Sequence, residues 1–240
     1  MTRPPVPWRS AGRTQRGRVR ARNEDAFLDR PQGGCWAVAD GMGGHRAGEV
    51  ASQSVIASLA ALHEQGTLDQ RIGALRLCLQ RLDRRLGLEG MHGTIGSTVV
   101  ALLLEGRRAA CVWAGDSRCY LWREQRLYQL SRDHSLFEQL MAKHQLNREQ
   151  AQAHPDARAL TRAVGGRAPL SLEVLELSMR PGDVFLLCSD GLHQALSHRE
   201  LGSALNQGTP QQVVDHLFSL VLRGPARDDL TAVVVQPCVT

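Results

Sequence analysis

The chain has 240 residues, 42% of them hydrophobic, and a formal net charge of +5. This length supports one well-filled core, and no flexible linker or charge run divides it, so a single domain over 1–240 is predicted. No apolar run approaches the roughly 18 residues that span a bilayer, and the N-terminal segment lacks the apolar region of a signal peptide. The composition therefore predicts a cytoplasmic protein without a membrane partner.

Short apolar runs bounded by turn residues predict seven β-strands. In chain order they cover 35–39, 97–104, 109–114, 118–122, a weaker one at 172–177, then 184–188 and 230–235. Apolar residues at helical spacing predict long helices over 47–63, 68–86 and 210–222, and shorter ones over 135–143 and 147–153. Asn147, with Gln150 three residues on, is the predicted N-cap of the last helix.

The order of these elements is not the regular strand–helix alternation of a doubly wound parallel sheet. Two long helices follow an early strand, and several strands then succeed one another with short turns. That order predicts an α+β fold in which sheets pack on each other and helices lie outside.

The six cysteines and the basic N-terminal segment have ordinary explanations. No cysteines form a CxxC pair and several lie inside apolar runs, so buried, reduced thiols are expected rather than disulfides or a zinc site.

Seven arginines precede the first acidic residue, Glu24, as in an arm that binds nucleic acid. Trp8 is the only aromatic residue there and no reader motif follows, so no nucleic-acid partner is expected.

Aspartates recur at the ends of the predicted strands, often beside glycine. They are Asp25, Asp40, Asp116, Asp190, Asp228 and Asp229. Taken singly, each is also typical of an ordinary turn. Neighbouring strand ends lie about 5 Å apart, so several carboxylates there repel one another unless a cation lies between them. Mg²⁺ and Mn²⁺ prefer such oxygen ligands. Arg18, Arg20 or Arg22, just before Glu24 and Asp25, is placed to bind phosphate. Together these residues indicate a metal-dependent phosphoester hydrolase.

Eight short motifs, in order over nearly the whole chain, resemble those of the PP2C (PPM) metal-dependent protein serine/threonine phosphatases of compact bacterial type. They are TQRGRVRARNED at 14–25, ADGMGGH at 39–45, GST at 96–98, AGDSR at 114–118, DHS at 133–135, LTRAVGG at 160–166, LCSDGL at 187–192 and DDLT at 228–231. The resemblance implies a four-layer α-β-β-α sandwich with two central antiparallel sheets. It also implies hydrolysis of phosphoserine and phosphothreonine in proteins by a water bridging two ions, reversing a bacterial Ser/Thr kinase.

The resemblance also assigns the metal ligands. Asp40 bridges two Mn²⁺ or Mg²⁺ ions, and the backbone carbonyl of Gly41 completes the shell of one of them. Asp190 and Asp228 hold the other ion.

Further residues take supporting roles by the same resemblance. Glu24 and Asp25 hold metal-bound waters, and Arg20 binds the substrate phosphate. The segment of about 136–160 corresponds to a flap that borders the cleft, although a helical surface insertion is the other interpretation. The implied partners are phosphoproteins of a kinase pathway, and the implied oligomeric state is a monomer.

Three departures from the family pattern bear on the site. Gln194 stands where relatives carry an acidic residue, which in those proteins binds a third metal together with the equivalent of Asp116. An amide is a poorer ligand than a carboxylate, so a third ion is not expected here. Asp229 replaces the usual asparagine, and its charge can tighten the metal pair or raise a neighbour's pKa. Met42 stands where many eukaryotic members carry a proposed general acid, so His45 and a metal-bound water are alternatives for protonating the leaving oxygen.

Three rival hypotheses have weaker support. Gly41-Met42-Gly43-Gly44 follows a strand as in a dinucleotide-binding turn, but Arg46 occupies the third fingerprint position. Cys78 and Arg84 have the Cys-x5-Arg spacing of cysteine-dependent phosphatases, but the residues between them are helical in pattern and lack glycine. A binding module with a decayed site is the non-enzymatic alternative, and the intact aspartates argue against it.

Overall fold

The computed structural model describes residues 8–43, 47–89, 95–143 and 146–238. The strands in these residues are β1 (Trp8–Gln15), β2 (Asp25–Arg30), β3 (Cys35–Met42), β4 (Gly96–Ser97), β5 (Val99–Glu105), β6 (Arg108–Ala114), β7 (Arg118–Arg123), β8 (Arg126–Gln129), β9 (Glu173–Ser178), β10 (Val184–Cys188) and β11 (Leu230–Pro237). The helices are α1 (Ala47–Ala60), α2 (Leu68–Glu89), α3 (Leu136–Lys143), α4 (Arg148–Gln152), α5 (Asp190–His193), α6 (His198–Leu205) and α7 (Pro210–Leu222).

The strands form two antiparallel sheets. One has the order β1-β11-β10-β7-β8, and the other has the order β2-β3-β5-β6-β9 with the short β4 paired to β3. Every recorded strand pairing is antiparallel. The predicted architecture of two central antiparallel sheets is therefore confirmed.

Three clusters of buried side chains separate the four layers. The central cluster joins both sheets, with Trp36 and Val100 from one and Phe185 and Val233 from the other. A second cluster packs α1 and α2 on the outer face of the β3-containing sheet, and a third packs α5, α6 and α7 on the other sheet. Strands β5, β6, β10 and β11 are thus covered on both faces, which explains their continuous apolar sequences.

Helix boundaries follow local hydrogen bonds. Asn147 caps α4 in a reciprocal capping box with Gln150, as the sequence predicted. The helix predicted over 47–63 ends earlier, at Ala60, because Arg30 Nη1 donates to the carbonyl of Ala60 at 2.6 Å and to that of Leu62 at 3.2 Å. None of the described helices combines the length and the apolar character that a bilayer crossing requires.

Several short or peripheral elements were not predicted. These are β1, β2, β4, β8, α5 and α6. β1 buries only Trp8 and Ala11, and β8 buries none of its four residues, so neither shows a clear alternation of apolar side chains. Pairing with β11 and β7, respectively, places them at the two edges of the sheet.

Candidate metal centre

The predicted aspartates lie where strands from both sheets reach the same end of the sandwich. Asp25 begins β2 and pairs in register with Asp40 near the end of β3. Asp190 lies two residues after the end of β10, and Asp228 lies just before the neighbouring strand β11. Asp116 occupies the turn between β6 and β7. The structure therefore brings together the carboxylates that the sequence placed at separate strand ends.

These carboxylates act on one another electrostatically. Burial, and then the charges of Asp25, Asp190, Asp116 and Asp228, raise the pKa of Asp40 well above its usual range. Burial and the Asp228 charge likewise raise the pKa of Asp190. Carboxyl groups that disfavour each other's ionisation in this way are stabilised by a cation placed among them.

The pKa values of Asp116 and Asp25 are also raised. Burial, followed by the charges of Asp190 and Asp133, raises the pKa of Asp116 to about 7. Burial also raises the pKa of Asp25 to about 7, with a further increase from Asp229, although hydroxyl hydrogen bonds act against it.

Asp25 is buried, with 7% of its surface exposed. Ser189 Oγ and Thr231 Oγ1 each donate to its Oδ2 at 2.7 Å. Both hydroxyls come from the other sheet, beside β10 and on β11, so Asp25 ties the two sheets together at the centre. Oδ1 has no hydrogen-bond partner among the residues that the structure describes.

The backbone of Asp40 is fixed by the GST motif. Asp40 N donates to Thr98 Oγ1 at 3.0 Å, and Thr98 N donates to the Asp40 carbonyl at 2.8 Å. Ser97 Oγ donates to the same carbonyl at 3.1 Å, and Thr98 Oγ1 shares a 2.7 Å hydrogen bond with Ser117 Oγ. Sequence reasoning used these residues only as family motifs, although buried hydroxyl residues between apolar runs were a signal of such a role.

Gly41 lies where three segments of backbone touch. Its N–H donates to the carbonyl of Glu24 at 3.0 Å. A Cβ at Gly41 would overlap the carbonyl group of Gly48, at the start of α1. Only glycine allows this approach, which holds Glu24 and α1 beside Asp40.

The loop that carries Arg20 is held by the two aspartates before β11. Arg20 Nη2 lies 2.6 Å from both carboxylate oxygens of Asp228, and this hydrogen bond raises the Arg20 pKa. Asp229 accepts the N–H of Gly17 at 2.8 Å and the N–H of Glu24 at 2.9 Å. Asp229 therefore braces the loop through both of its oxygens, a role that the sequence did not indicate.

Helix α5 links two of the acidic positions. Gln194 Nε2, at the end of this helix, donates to Asp190 Oδ2 at 2.7 Å. His193 Nε2 lies 3.0 Å from the carbonyl of Asp116, and burial lowers the pKa of His193 to about 4, so the neutral ring donates this hydrogen bond. The amide of Gln194 is thus occupied in orienting Asp190.

The predicted flap contains α3 and α4 and is anchored next to Asp116. His134 N donates to the carbonyl of Gly115 at 2.9 Å, and Gly115 N donates to His134 Nδ1 at 3.2 Å. Leu136 N then donates to the carbonyl of Ala159 at 2.9 Å, closing the base of the segment. His45, the candidate general acid, lies outside the described residues.

The chemistry of these donors fits hard divalent ions. Mg²⁺ and Mn²⁺ bind through one or two carboxylates each and keep several waters, and a backbone carbonyl beside Asp40 adds a further oxygen. Within 8–43, 47–89, 95–143 and 146–238, no group of three or more His, Cys, Asp or Glu side chains is arranged to hold a metal ion. The carboxylates nevertheless lie close enough to act on Asp40 electrostatically, and oxygen donors of this kind suit ions that keep several waters.

Two rival hypotheses conflict with the geometry. Cys78 and Arg84 both lie within α2, where the Cys78 thiol contacts the carbonyl of Ser58 and burial raises its pKa. A helical Cys-x5-Arg segment cannot wrap backbone N–H groups around a phosphate. The glycines after Asp40 follow β3, which pairs antiparallel with β2 and β5, whereas a dinucleotide-binding turn belongs to a parallel sheet.

Comparisons with known proteins agree with the resemblance. The sequence profile described as protein phosphatase 2C matches residues 14–230. The chain is 36% identical over 244 residues to "Serine/threonine protein phosphatase PstP" of Mycobacterium tuberculosis, a match that covers 98% of this chain and 46% of PstP. The chain thus spans about half the length of that relative.

Solved structures show the same fold. PppA, described as a key regulatory component of T6SS in Pseudomonas aeruginosa, matches with a TM-score of 0.87 and 42% identity, covering 96% of this chain and 98% of that one. The catalytic domain of PstP in complex with two manganese ions matches with a TM-score of 0.82 and 35% identity, covering 95% and 97%. A structural relative with the same fold therefore holds divalent metal.

Proposed function

The chain belongs to the protein phosphatase 2C family, and from this premise we propose that it hydrolyses phosphoserine and phosphothreonine in proteins with two divalent ions, Mn²⁺ or Mg²⁺. The observation that carries the proposal is the convergence of Asp40, Asp190 and Asp228 from both sheets, with Arg20 beside them. The metal-bound structure of the PstP catalytic domain supports the metal requirement.

The ligand set follows the strand ends. Asp40 would be shared by the two ions, the carbonyl of Gly41 would help to hold one of them, and Asp190 and Asp228 would hold the other. When bound, the ions make water a better nucleophile near neutral pH and offset the charge of the phosphoryl group. Gln194 donates to Asp190 instead of supplying a carboxylate, which supports two ions rather than three, with Asp116 left as an outer acidic group.

Arg20 orients the substrate. A guanidinium group has five N–H donors in a planar fork that suits phosphate oxygens. Nη2 contacts Asp228, and Nε and Nη1 have no hydrogen-bond partner among the described residues, so two arms of the fork are available to phosphate. The side chain is 47% exposed, so a protein-bound phosphate can reach it.

Glu24 and Asp25 act through water. Burial raises the pKa of both carboxyl groups, and Arg20 counters this at Glu24. Asp25 Oδ1 is available to accept a hydrogen bond from water at the centre while Oδ2 is held by hydroxyls. Protonation of the leaving oxygen falls to His45 or to water, and the segment 136–160 serves as the flap beside the cleft.

The biological setting follows from the same premise. A single catalytic domain that acts in the cytoplasm as a monomer would reverse the action of a Ser/Thr kinase on phosphoproteins, without a nucleic-acid partner. Among regulatory pathways, the likeness to PppA favours one related to the T6SS with which that protein is associated.

The test is a phosphatase assay with phosphothreonine and phosphotyrosine peptides, with and without Mn²⁺. We expect metal-dependent hydrolysis of the phosphothreonine peptide that falls by at least about a hundredfold in Asp190→Asn, because a charged ligand is lost. Asp69→Asn is the matched control, since Asp69 lies on α2, is 66% exposed and pairs with Arg108.

Equal activity of Asp190→Asn and the wild type would remove the two-metal assignment. Activity that survives EDTA would instead favour thiol chemistry. Absence of both turnover and Mn²⁺ binding would favour the decayed binding module.

A further inference from the structure

A groove of about 470 Å³ lies between the end of β3 and the segment after the flap. Its lining includes Met42, Leu160, Arg162, Arg167, Pro169 and Leu170. Most of these side chains are apolar, and the charges belong to the two arginines. The groove is therefore a surface on which an extended polypeptide can lie.

Met42 connects the groove to the acidic cluster through β3. Met42 follows Asp40 by two residues on β3, and side chains two apart on a strand point to the same face. A polypeptide that places its phosphorylated side chain over Asp40 therefore meets Met42 with the neighbouring part of its chain.

The outer wall of the groove is held rigidly. Val164 exchanges two backbone hydrogen bonds with Ser97, at 2.8 and 2.9 Å. The two carboxylate oxygens of Asp83 on α2 accept the N–H of Gly165 at 2.8 Å and the N–H of Leu170 at 3.3 Å. The loop 165–170 is thus fastened at both ends, so the residue at its exposed middle is presented in a fixed place.

That residue is Arg167, and its charge is not neutralised. Arg162 donates to Glu173 at 2.8 Å, which offsets its charge. Arg167 is exposed and has no ion-pair or hydrogen-bond partner in the parts of the chain that the structure describes. The groove therefore carries one uncompensated positive charge at its outer wall.

We propose that this groove binds the polypeptide flanking the phosphorylated residue and that Arg167 selects substrates with acidic side chains there. The proposal rests on the proposed phosphatase function and adds the class of substrate. An exposed ion pair changes affinity by up to about fivefold, so the selection should appear as a difference of that size in KM.

The test compares phosphothreonine peptides that carry glutamates or lysines on both sides of the phosphothreonine. We expect the wild type to show a KM about fivefold lower for the glutamate peptide, with little difference in kcat. Arg167→Glu should reverse the preference, and Arg167→Lys should keep it. The preference should also shrink at high salt, because exposed charges are screened.

Two controls separate this proposal from the function on which it rests. Arg199→Glu makes the same charge change on exposed α6 and should leave the preference unchanged. Para-nitrophenyl phosphate is too small to reach the groove, so its Mn²⁺-dependent hydrolysis should be the same in the wild type and Arg167→Glu. An Arg167→Glu enzyme that hydrolyses both peptides with the wild-type preference overturns the proposal while the phosphatase function stands. A wild type that hydrolyses no phosphopeptide overturns both.

Discussion

Asp25 lies directly opposite Asp40 across the antiparallel pair of β2 and β3. Asp25 makes ionisation of Asp40 less favourable, since its charge is the first electrostatic contribution, after burial, to the raised pKa of Asp40. Two acids at one register position of a sheet make the stability of this end of the sandwich dependent on pH and on bound cations.

The first prediction concerns pH. Burial raises the pKa of Asp25 to about 7, from about 4 in an unfolded chain. A folded-state pKa above the unfolded value means that the stabilising contribution of this group is complete below about pH 4 and is lost as the pH rises through about 7. In EDTA, Asp25→Asn should therefore match the wild type near pH 4.5 and exceed its free energy of unfolding by about 1–3 kcal/mol near pH 8.

Urea unfolding at both pH values measures this difference. Saturating Mn²⁺ should restore the wild type at pH 8, because a cation stabilises the ionised carboxylates. A constant difference between the two proteins from pH 4.5 to 8 would show that Asp25 does not titrate in this range.

The second prediction concerns metal stoichiometry. Gln194 donates to Asp190 Oδ2 at 2.7 Å, and Gln194→Asp replaces that donor with a carboxylate near Asp116. We expect an additional weak Mn²⁺ site in calorimetric titrations, because carboxylates are better ligands than amides for hard ions. Gln207→Asp, an exposed change of the same charge, should leave the titration unchanged. The idea fails if both variants and the wild type bind the same number of ions with the same affinities.

The third prediction concerns the brace at Asp229. Asp229→Ala leaves the N–H groups of Gly17 and Glu24 without their acceptor, and each such loss costs about 1–3 kcal/mol. We expect a loss of about 2–4 kcal/mol in urea unfolding, and a smaller one for Asp229→Asn, which retains one acceptor oxygen. KM for phosphopeptides should rise as well, because the same loop carries Arg20. Asp215→Ala, at an exposed position on α7, is the control. If Asp229→Ala lowers the free energy of unfolding as little as Asp215→Ala does, Asp229 does not brace the loop.

The fourth prediction concerns Gly191, beside Asp190. A Cβ there would overlap the carbonyl of Asp229, so Gly191→Ala must push β11 away from α5. We expect a loss of at least about 2 kcal/mol in stability together with weaker Mn²⁺ binding. Gly73→Ala in α2 meets nothing within 4 Å and should raise stability by about 0.5–1 kcal/mol. Thermal melts of both variants measure these stability changes. A Gly191→Ala melting temperature equal to that of the wild type would disprove the close approach.

The sequence predicts this fold best where strands are buried on both sides. Continuous apolar runs marked β5, β6, β10 and β11, because helices cover the outer faces of both sheets. The edge strand β1 escaped prediction since it buries only Trp8 and Ala11 and depends on backbone pairing with β11. Helix α5 is a single turn, which is too short to show a helical period.

The positions of the acidic residues were predictable, but their hydrogen-bond partners were not. The contacts of Asp25 with Ser189 and Thr231 join residues more than 160 positions apart, and only the packing of the two sheets sets them. Asp229 was interpreted as added charge near the metals, and it does raise the pKa of Asp25 and Glu24. Its main contacts, however, are with two backbone N–H groups, which no local pattern encodes.

The pairing of β1 with β11 has a consequence for how the protein is made. Asp25 belongs to the second strand, whereas Thr231, its hydrogen-bond donor, and Asp228 arrive with the last. Nearly the whole chain must therefore leave the ribosome before the acidic cluster can assemble. Contacts between residues so far apart in sequence also form slowly. A nascent or truncated chain that ends before Asp228 lacks both this residue and Thr231 and cannot complete the acidic cluster.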